Sequence, residues 1–307
     1  PRQTTNSVDV AADQALGRLQ LEADARWAYR RFKAHLAPVT APFSVGRGNP
    51  FFVSPTGASS HTIGYDWHFD IGNPQSQGSV EALGLALAGK LPLFADWRAE
   101  AYAAVDQEIA ETRGSGFINF LILAEALGNT ADRADTAYSP ARDGFFNPFT
   151  GIAGSNPSTV TGAIGSGRTW SRARSRVATV NLQADGTLLR LPAGGLKLAV
   201  GAAARRETFV RTGSNLLATA APTAISNPTD AERDVLAAFA EARIPLFGPD
   251  NAHPGLHRLE LSLAGRVEHY DLAGTTANPS VGVVWEPAEG LRLRSTYSRS
   301  FRAPALR

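Results

Sequence analysis

Between Arg258 and Glu268 the apolar residues Leu259, Leu261, Leu263 and Val267 alternate with Arg258, Glu260, Ser262, Arg266 and Glu268. A period of two puts the first set on one face of an extended strand and every charge on the other, which a helix of 3.6 residues per turn cannot do. The pattern resumes after Gly274-Thr-Thr-Ala-Asn-Pro279 in the run from Val281 to Trp285. It then turns at Glu286-Pro-Ala-Glu-Gly290 and leaves again from Leu291 to Phe301. Three antiparallel strands in a row make a meander.

Upstream the alternation recurs with longer connections. Thr5 to Asp13 reads as a strand, Gln14 to Arg18 as its turn, and Leu19, Leu21, Ala23, Ala25, Trp27 and Tyr29 then alternate with Gln20, Glu22, Asp24, Arg26 and Arg30. From Leu19 to Tyr29, at about 3.3 Å per residue and a tilt near 40°, such a strand rises roughly 25 Å, the height of an outer-membrane apolar band. Val80 to Lys90 carries Leu83, Leu85 and Leu87 on one side, and Trp97 opens a strand to Arg113 with Ala99, Ala101, Ala103 and Val105 on one side. Trp170 to Gln183, Gly195 to Phe209 and Val235 to Leu246 complete the set, with a turn expected over Ala184 to Gly194. Ten strands result, with short turns and long loops alternating strictly, and the long loops fall near residues 37–79, 114–167 and 211–232. Within them, Thr62 to Ile71 reads as extended with Tyr65, Trp67 and Phe69 on one face, and Phe117 to Leu127 as helix-compatible.

The last strand runs into Ser300-Phe-Arg-Ala-Pro-Ala-Leu306, and here the chain resembles the TonB-dependent outer-membrane receptors. The likeness rests on four successive elements: Leu256-His-Arg-Leu-Glu-Leu-Ser-Leu-Ala-Gly-Arg-Val-Glu-His-Tyr270, the Gly-Thr-Thr-x-Asn-Pro turn, a strand ending in Trp285, and the Ser-Phe-Arg-Ala-Pro close. Phe239-Ala-Glu-Ala-Arg-Ile-Pro-Leu246, Phe146-Asn-Pro-Phe149 and Gly48-Asn-Pro-Phe51 extend it over most of the chain. The resemblance implies an all-β, antiparallel transmembrane β-barrel in the outer membrane of a Gram-negative bacterium, with residues 1–307 forming a partial wall of about ten strands. It also implies energy-coupled uptake of a scarce nutrient such as a siderophore, cobalamin, oligosaccharide or peptide, and a TonB complex docked through an N-terminal plug region. The 307 residues match neither plug nor docking box and are expected to be an internal piece of the wall, with unpaired first and last strands. Leu21, Leu85, Leu261 and Leu263 are then expected to face lipid, and Glu22, Glu260 and Arg266 the lumen.

Composition narrows the alternatives. There is no run of eighteen apolar residues for a membrane helix, and 43% apolar content fits alternating lipid and lumen faces as well as a soluble core. No cysteine is present, which excludes a disulfide framework and thiolate metal sites. A formal net charge of +2 with dispersed basic residues excludes nucleic acid as a partner.

Chemistry-bearing patterns are few. His253 and His257 have metal-like spacing, but Pro254-Gly255 between them prevents a shared helix face; His61 and His68, seven apart on an extended segment, would face opposite ways. Gly162-Ala-Ile-Gly-Ser-Gly167 lacks the lysine of a phosphate loop and reads as a flexible loop end. No catalytic residue, metal site or cofactor is expected. Phe145, Phe146, Asn147 and Phe149 in the longest loop either line a ligand mouth or pack that loop onto itself. A self-contained outer-membrane β-barrel enzyme or channel and a soluble carbohydrate-binding β protein are the rival classes. The first would cluster carboxylates or histidines on the loop side, and the second would expose aromatics.

Overall fold

The computed structural model describes residues 2–150 and 154–306. Ten long strands form one antiparallel sheet in the order β1 (Arg2–Leu16), β2 (Leu19–His35), β5 (Gln75–Pro92), β6 (Arg98–Phe117), β7 (Gly167–Leu191), β8 (Gly194–Leu216), β10 (Thr229–Phe247), β11 (Arg258–Tyr270), β12 (Gly274–Ala288) and β13 (Leu291–Ser298). The two-residue β9 (Thr223–Ala224) adds to β8, and β3 (Thr40–Gly46) pairs with β4 (Ser60–Asp66) as a separate hairpin. Among the described residues β1 pairs only with β2 and β13 only with β12, so the sheet is open, as expected of a partial wall.

Register decides which side chains share a face, because directly opposed residues project to the same side. One continuous row runs Leu21, Gly89, Ala101, Leu182, Ala202, Ala238, Val267 and Ala277 across eight strands. Neighbouring rows add Leu85, Val105 and Ala178 on one flank and Leu261 with Val283 on the other. All of these belong to one apolar face. Its large side chains stand in the open: Val10, Leu85, Leu87, Leu182, Leu236 and Val267 are each at least half exposed.

The opposite face is held by ion pairs: Glu22 with Lys90 (2.5 Å), Arg26 with Asp106 (2.5 Å), Arg98 with Asp185 (2.8 Å), Arg243 with Glu260 (2.5 Å) and Arg266 with Glu268 (3.0 Å). Glu22, Glu260 and Arg266 therefore lie opposite Leu21, Leu85, Leu261 and Leu263, as the period of two requires.

The apolar face slants across the strands. Its upper edge is Trp27 on β2 but Val267 on β11, and the row through Val267 meets β2 at Leu21, six residues below Trp27. With about 3.3 Å per residue and about 4.8 Å between strands, that drop over the strand-to-strand steps from β2 to β11 matches strands tilted roughly 35° to the band, the inclination of barrel walls. The accessible surface of 18750 Å² far exceeds the roughly 12,000 Å² of a compact soluble monomer of this size. An exposed two-faced wall of this kind is not the closed core of a compact soluble domain.

Several boundaries differ from the sequence reading. Gly274 to Pro279 lies inside β12 and pairs with β11, so residues 271–273 make the connection; conversely, residues 248–257 join β10 to β11 at the short-turn end. Strict alternation of long and short connections fails at these two places. β7 continues to Leu191, with a bulge between Thr187 and Leu189, where a turn from Ala184 was expected. The strands also climb into segments read as loop, leaving connections of 36–74, 118–166 and 217–228. Where strands climb into the long loops, their polar ends lack the apolar alternation that marks the middle; at the end of β7 the bulge breaks the period.

Candidate ligand-contact cap

Above the long-loop end, two connections fold together into the molecule's compact core. The first supplies the β3–β4 hairpin and α1 (His68–Ile71). The second supplies α2 (Phe120–Ala126), α3 (Pro140–Asp143) and α4 (Ser158–Ile164). Val45 and Trp67 from the first loop are fully buried with Ile118, Leu123, Ala126, Leu127, Tyr138, Phe146, Val160 and Ile164 from the second. α2 starts where it does because the Asn119 side chain accepts hydrogen bonds from the Leu121 and Ile122 amides, an N-cap. Asn119 also donates to the Thr219 carbonyl (3.1 Å), which ties in the third loop.

Two identical tripeptides organise the surface of this cap. In Asn49-Pro50-Phe51 and Asn147-Pro148-Phe149, each asparagine side chain accepts the amide of the phenylalanine two residues on, at 2.9 and 3.0 Å. Asparagine before proline favours this turn because proline holds the preceding residue extended. Buried Asn49 also donates to the Phe146 carbonyl (2.9 Å), and buried Asn156 brackets Asn147, accepting from its amide (2.7 Å) and donating to its carbonyl (3.1 Å). Asn156 reaches Asp70 (3.4 Å), which in turn accepts from the Tyr65 hydroxyl (2.6 Å). Burial, then that bond to Asp70, pushes the Tyr65 phenol above its usual range; burial does the same to Tyr138.

The four residues singled out in the sequence thus separate. Phe146 is 0% exposed and its ring stacks on Trp67, with centroids 5.1 Å apart. It is core, the packing alternative of the two that the sequence left open for this cluster. Phe145 and Asn147 are half-buried, and Phe149 is 45% exposed. Phe51, 42% exposed, and Phe69, 63% exposed, were missed, although the repeated Asn-Pro-Phe was a usable signal for Phe51. Phe69 leaves the face of Tyr65 and Trp67 because the chain turns into α1 after β4.

The histidines are dispersed. His61 meets the Ser54 hydroxyl (3.1 Å), His68 meets Asn73 (2.7 Å) in α1 and not on a strand, and His253 bridges to Leu256. Among the described residues no group of three or more potential ligands could hold a metal ion. Residues 162–164 end α4, in place of the flexible loop end expected there.

A scan against protein families matches residues 55–307 to the family described as TonB dependent receptor-like, beta-barrel. The chain belongs to that family. Among solved structures it is similar to one described as the structure of the RagAB peptide transporter, with a TM-score of 0.56 and 12% identity, covering 96% of this chain and 32% of that one. The chain therefore spans about a third of that relative's length. No curated protein matches significantly.

For a TonB-dependent receptor barrel the two faces acquire names. Family membership implies the outer membrane of a Gram-negative cell, so the apolar face is the lipid face and the ion-paired face the lumen. No helix among the described residues is long and apolar enough to cross a membrane. Aromatic girdles border the lipid face at both ends. Trp27 stacks with Tyr29 and donates to Glu81 (3.0 Å) at the loop end; Trp97 stacks with Phe94 and donates to the Thr187 carbonyl (3.0 Å) at the turn end, where Trp285 donates to that of Gly255 (2.8 Å).

Proposed function

We infer that this chain is part of the wall and the ligand-gathering cap of an outer-membrane receptor that imports a scarce nutrient by TonB-dependent, energy-coupled transport, without covalent chemistry. The observation that carries the reading is the single apolar band, bordered by aromatics, on a tilted wall whose other face is a ladder of ion pairs. Such a wall separates lipid from a polar passage. In such a receptor further strands close the wall, a plug gates it and a docking site engages the coupling protein.

Ligand contact falls to Phe51, Phe69 and Phe149, with Phe145 and Asn147 beside them. All three exposed rings sit within two residues of one hydrogen-bonded chain that runs from Asn49 through residues 146 and 147 to Asn156 and Asp70. Apolar groups held out on a rigid frame lose little entropy on binding, which favours capture. The test is uptake by the full-length receptor of a panel comprising a ferric siderophore, cobalamin, an oligosaccharide and a peptide. Phe51→Ala with Phe149→Ala should weaken uptake of whichever is transported, with the amount of folded barrel unchanged. Undiminished uptake would move the contact site elsewhere.

A further inference from the structure

The β3–β4 hairpin of the cap has two outer edges, and only one of them is closed. Register and a single bond fix which backbone groups point outward. The Val39 carbonyl accepts the Trp67 amide (3.1 Å), so these two residues form a hydrogen-bonded pair. Alternation along an antiparallel ladder then makes Ala41–Tyr65, Phe43–Ile63 and Val45–His61 hydrogen-bonded pairs as well. The residues between them, Pro42 and Ser44 on β3 and Gly64 and Thr62 on β4, turn their backbone groups away from the partner strand.

On β3 that outer edge is taken. Pro42 has no N–H to offer, the Asn129 side chain donates to the Ser44 carbonyl (2.7 Å), and the Asn49 amide donates to the Gly46 carbonyl (3.0 Å). On β4 it is open. Thr62 and Gly64 are both exposed, and among the described residues their outward N–H and C=O groups bond to no other segment. A Cβ added at Gly64 would meet no atom within 4 Å, so the outer face beside this edge is clear too.

The open edge runs between two of the exposed rings. His61 meets the Ser54 hydroxyl (3.1 Å) and the Phe52 ring (centroids 5.6 Å apart), which ties the loop bearing Phe51 to the start of β4. Phe69 follows just past the other end, in α1. From Ser60 to Asp66 the strand spans roughly 20 Å, the length of about seven extended residues.

We propose that the free edge of β4 captures extended peptides by strand addition, which makes peptide the substrate class of this receptor. An unpaired strand edge is a template for another chain, and its repeat of N–H and C=O groups matches a polypeptide backbone. A corrinoid or an oligosaccharide carries no such repeat. Backbone pairing accepts many sequences, and the phenylalanines at the two ends add apolar contact. The inference rests on the reading of this cap as the ligand-gathering end of an importer.

The experiment uses the full-length receptor in detergent and, as probes, a labelled heptapeptide mixture randomised at every position and the same mixture N-methylated at every peptide bond. Expected is saturable binding of the first and none of the second, a comparison that needs no variant to fold. Thr62→Pro removes an outward N–H while sparing the hairpin's own bonds, as Pro42 does on β3, and should weaken binding about tenfold. Ser44→Pro makes the matching change on the closed edge and should bind as the parent does. Equal binding of both mixtures, binding of neither, or equal effects of the two substitutions would overturn the proposal. So would a receptor dimer that Thr62→Pro dissociates, because the edge would then be a contact between copies. Uptake of cobalamin or an oligosaccharide by a receptor that binds no peptide would sink this inference and leave the transport reading standing; peptide binding by a receptor that imports nothing would do the reverse.

Discussion

Gly48 and Gly128 meet backbone to backbone, so that a Cβ on either would lie closer than 3.0 Å to the other's carbonyl oxygen. The first belongs to the loop after β3 and the second follows α2, so this contact joins the two halves of the cap. Gly128 also has φ 72°, a conformation that disfavours a side chain independently of the crowding. Replacing Gly48 with alanine should cost the cap about 1–3 kcal/mol by overpacking. The Gly128→Ala variant should be worse. Limited proteolysis of the full-length receptor in membranes should show new cuts within residues 36–74 and 118–166 and none in the strands. Protection equal to the parent would show that the loops are held by something else.

Phe146 and Phe149 are three residues apart and should behave oppositely. Removing the fully buried Phe146 ring from its stack on Trp67 should cost about 3–5 kcal/mol and expose the cap to protease. Truncating half-exposed Phe149 should leave protease resistance intact and reduce ligand uptake. Deleting the whole stretch from Tyr138 to Ser155 cannot separate these effects, because it removes the buried Tyr138 and Phe146 together.

The cap should loosen in alkali. Burial and the bond to Asp70 raise the Tyr65 phenol above the ordinary tyrosine value of about 10, and burial raises Tyr138 likewise. In the unfolded chain both would ionise near that value. Their contribution is therefore complete below about pH 10 and is lost as pH climbs from there through the folded-state values. Tyrosinate absorbance should show a late-titrating component that Tyr65→Phe diminishes. A titration with every tyrosine ionising near pH 10 would contradict the buried network.

How much of this was legible beforehand follows from the physics of each part. The wall was readable because alternation is local: Leu259 to Val267 announces its two faces without reference to any partner strand. The girdles followed from Trp27 and Trp97 by counting residues along a tilted strand. The strand ends were not readable, since above the band both faces are polar and the period of two vanishes; Arg172, Arg174 and Arg176 lie in the strand read from Trp170 to Gln183, but only register puts them on the lipid side. The cap was hidden for another reason. Phe146 and Phe149 occupy equivalent-looking positions, and only a distant partner, Trp67, decides which one is core.

The lipid and lumen faces predict unequal tolerance of charge. An arginine at a mid-band lipid position costs roughly 2–4 kcal/mol, so Leu263→Arg should sharply reduce the folded, heat-modifiable receptor in membranes. The matched lumen change is Glu260→Gln, because arginine at that position would meet Arg243 and Arg258, which already pair with Glu260 at 2.5 and 3.1 Å. Glu260→Gln should assemble nearly normally. Equal loss from both would undo the assignment of faces.

The most direct test of the wall uses the absence of cysteine from these 307 residues. Single cysteines at Leu85, Leu236 and Leu263, and at Glu22, Asp106 and Glu260, would be introduced into the full-length receptor, with any cysteine elsewhere replaced by serine. Each would be labelled with a fluorophore after unfolding, and the receptor refolded into bilayers of brominated lipid. The account predicts strong quenching at the three leucine positions and little at the three acidic ones. Quenching at Glu22, Asp106 and Glu260 with none at the leucines, or no difference between the sets, would contradict it.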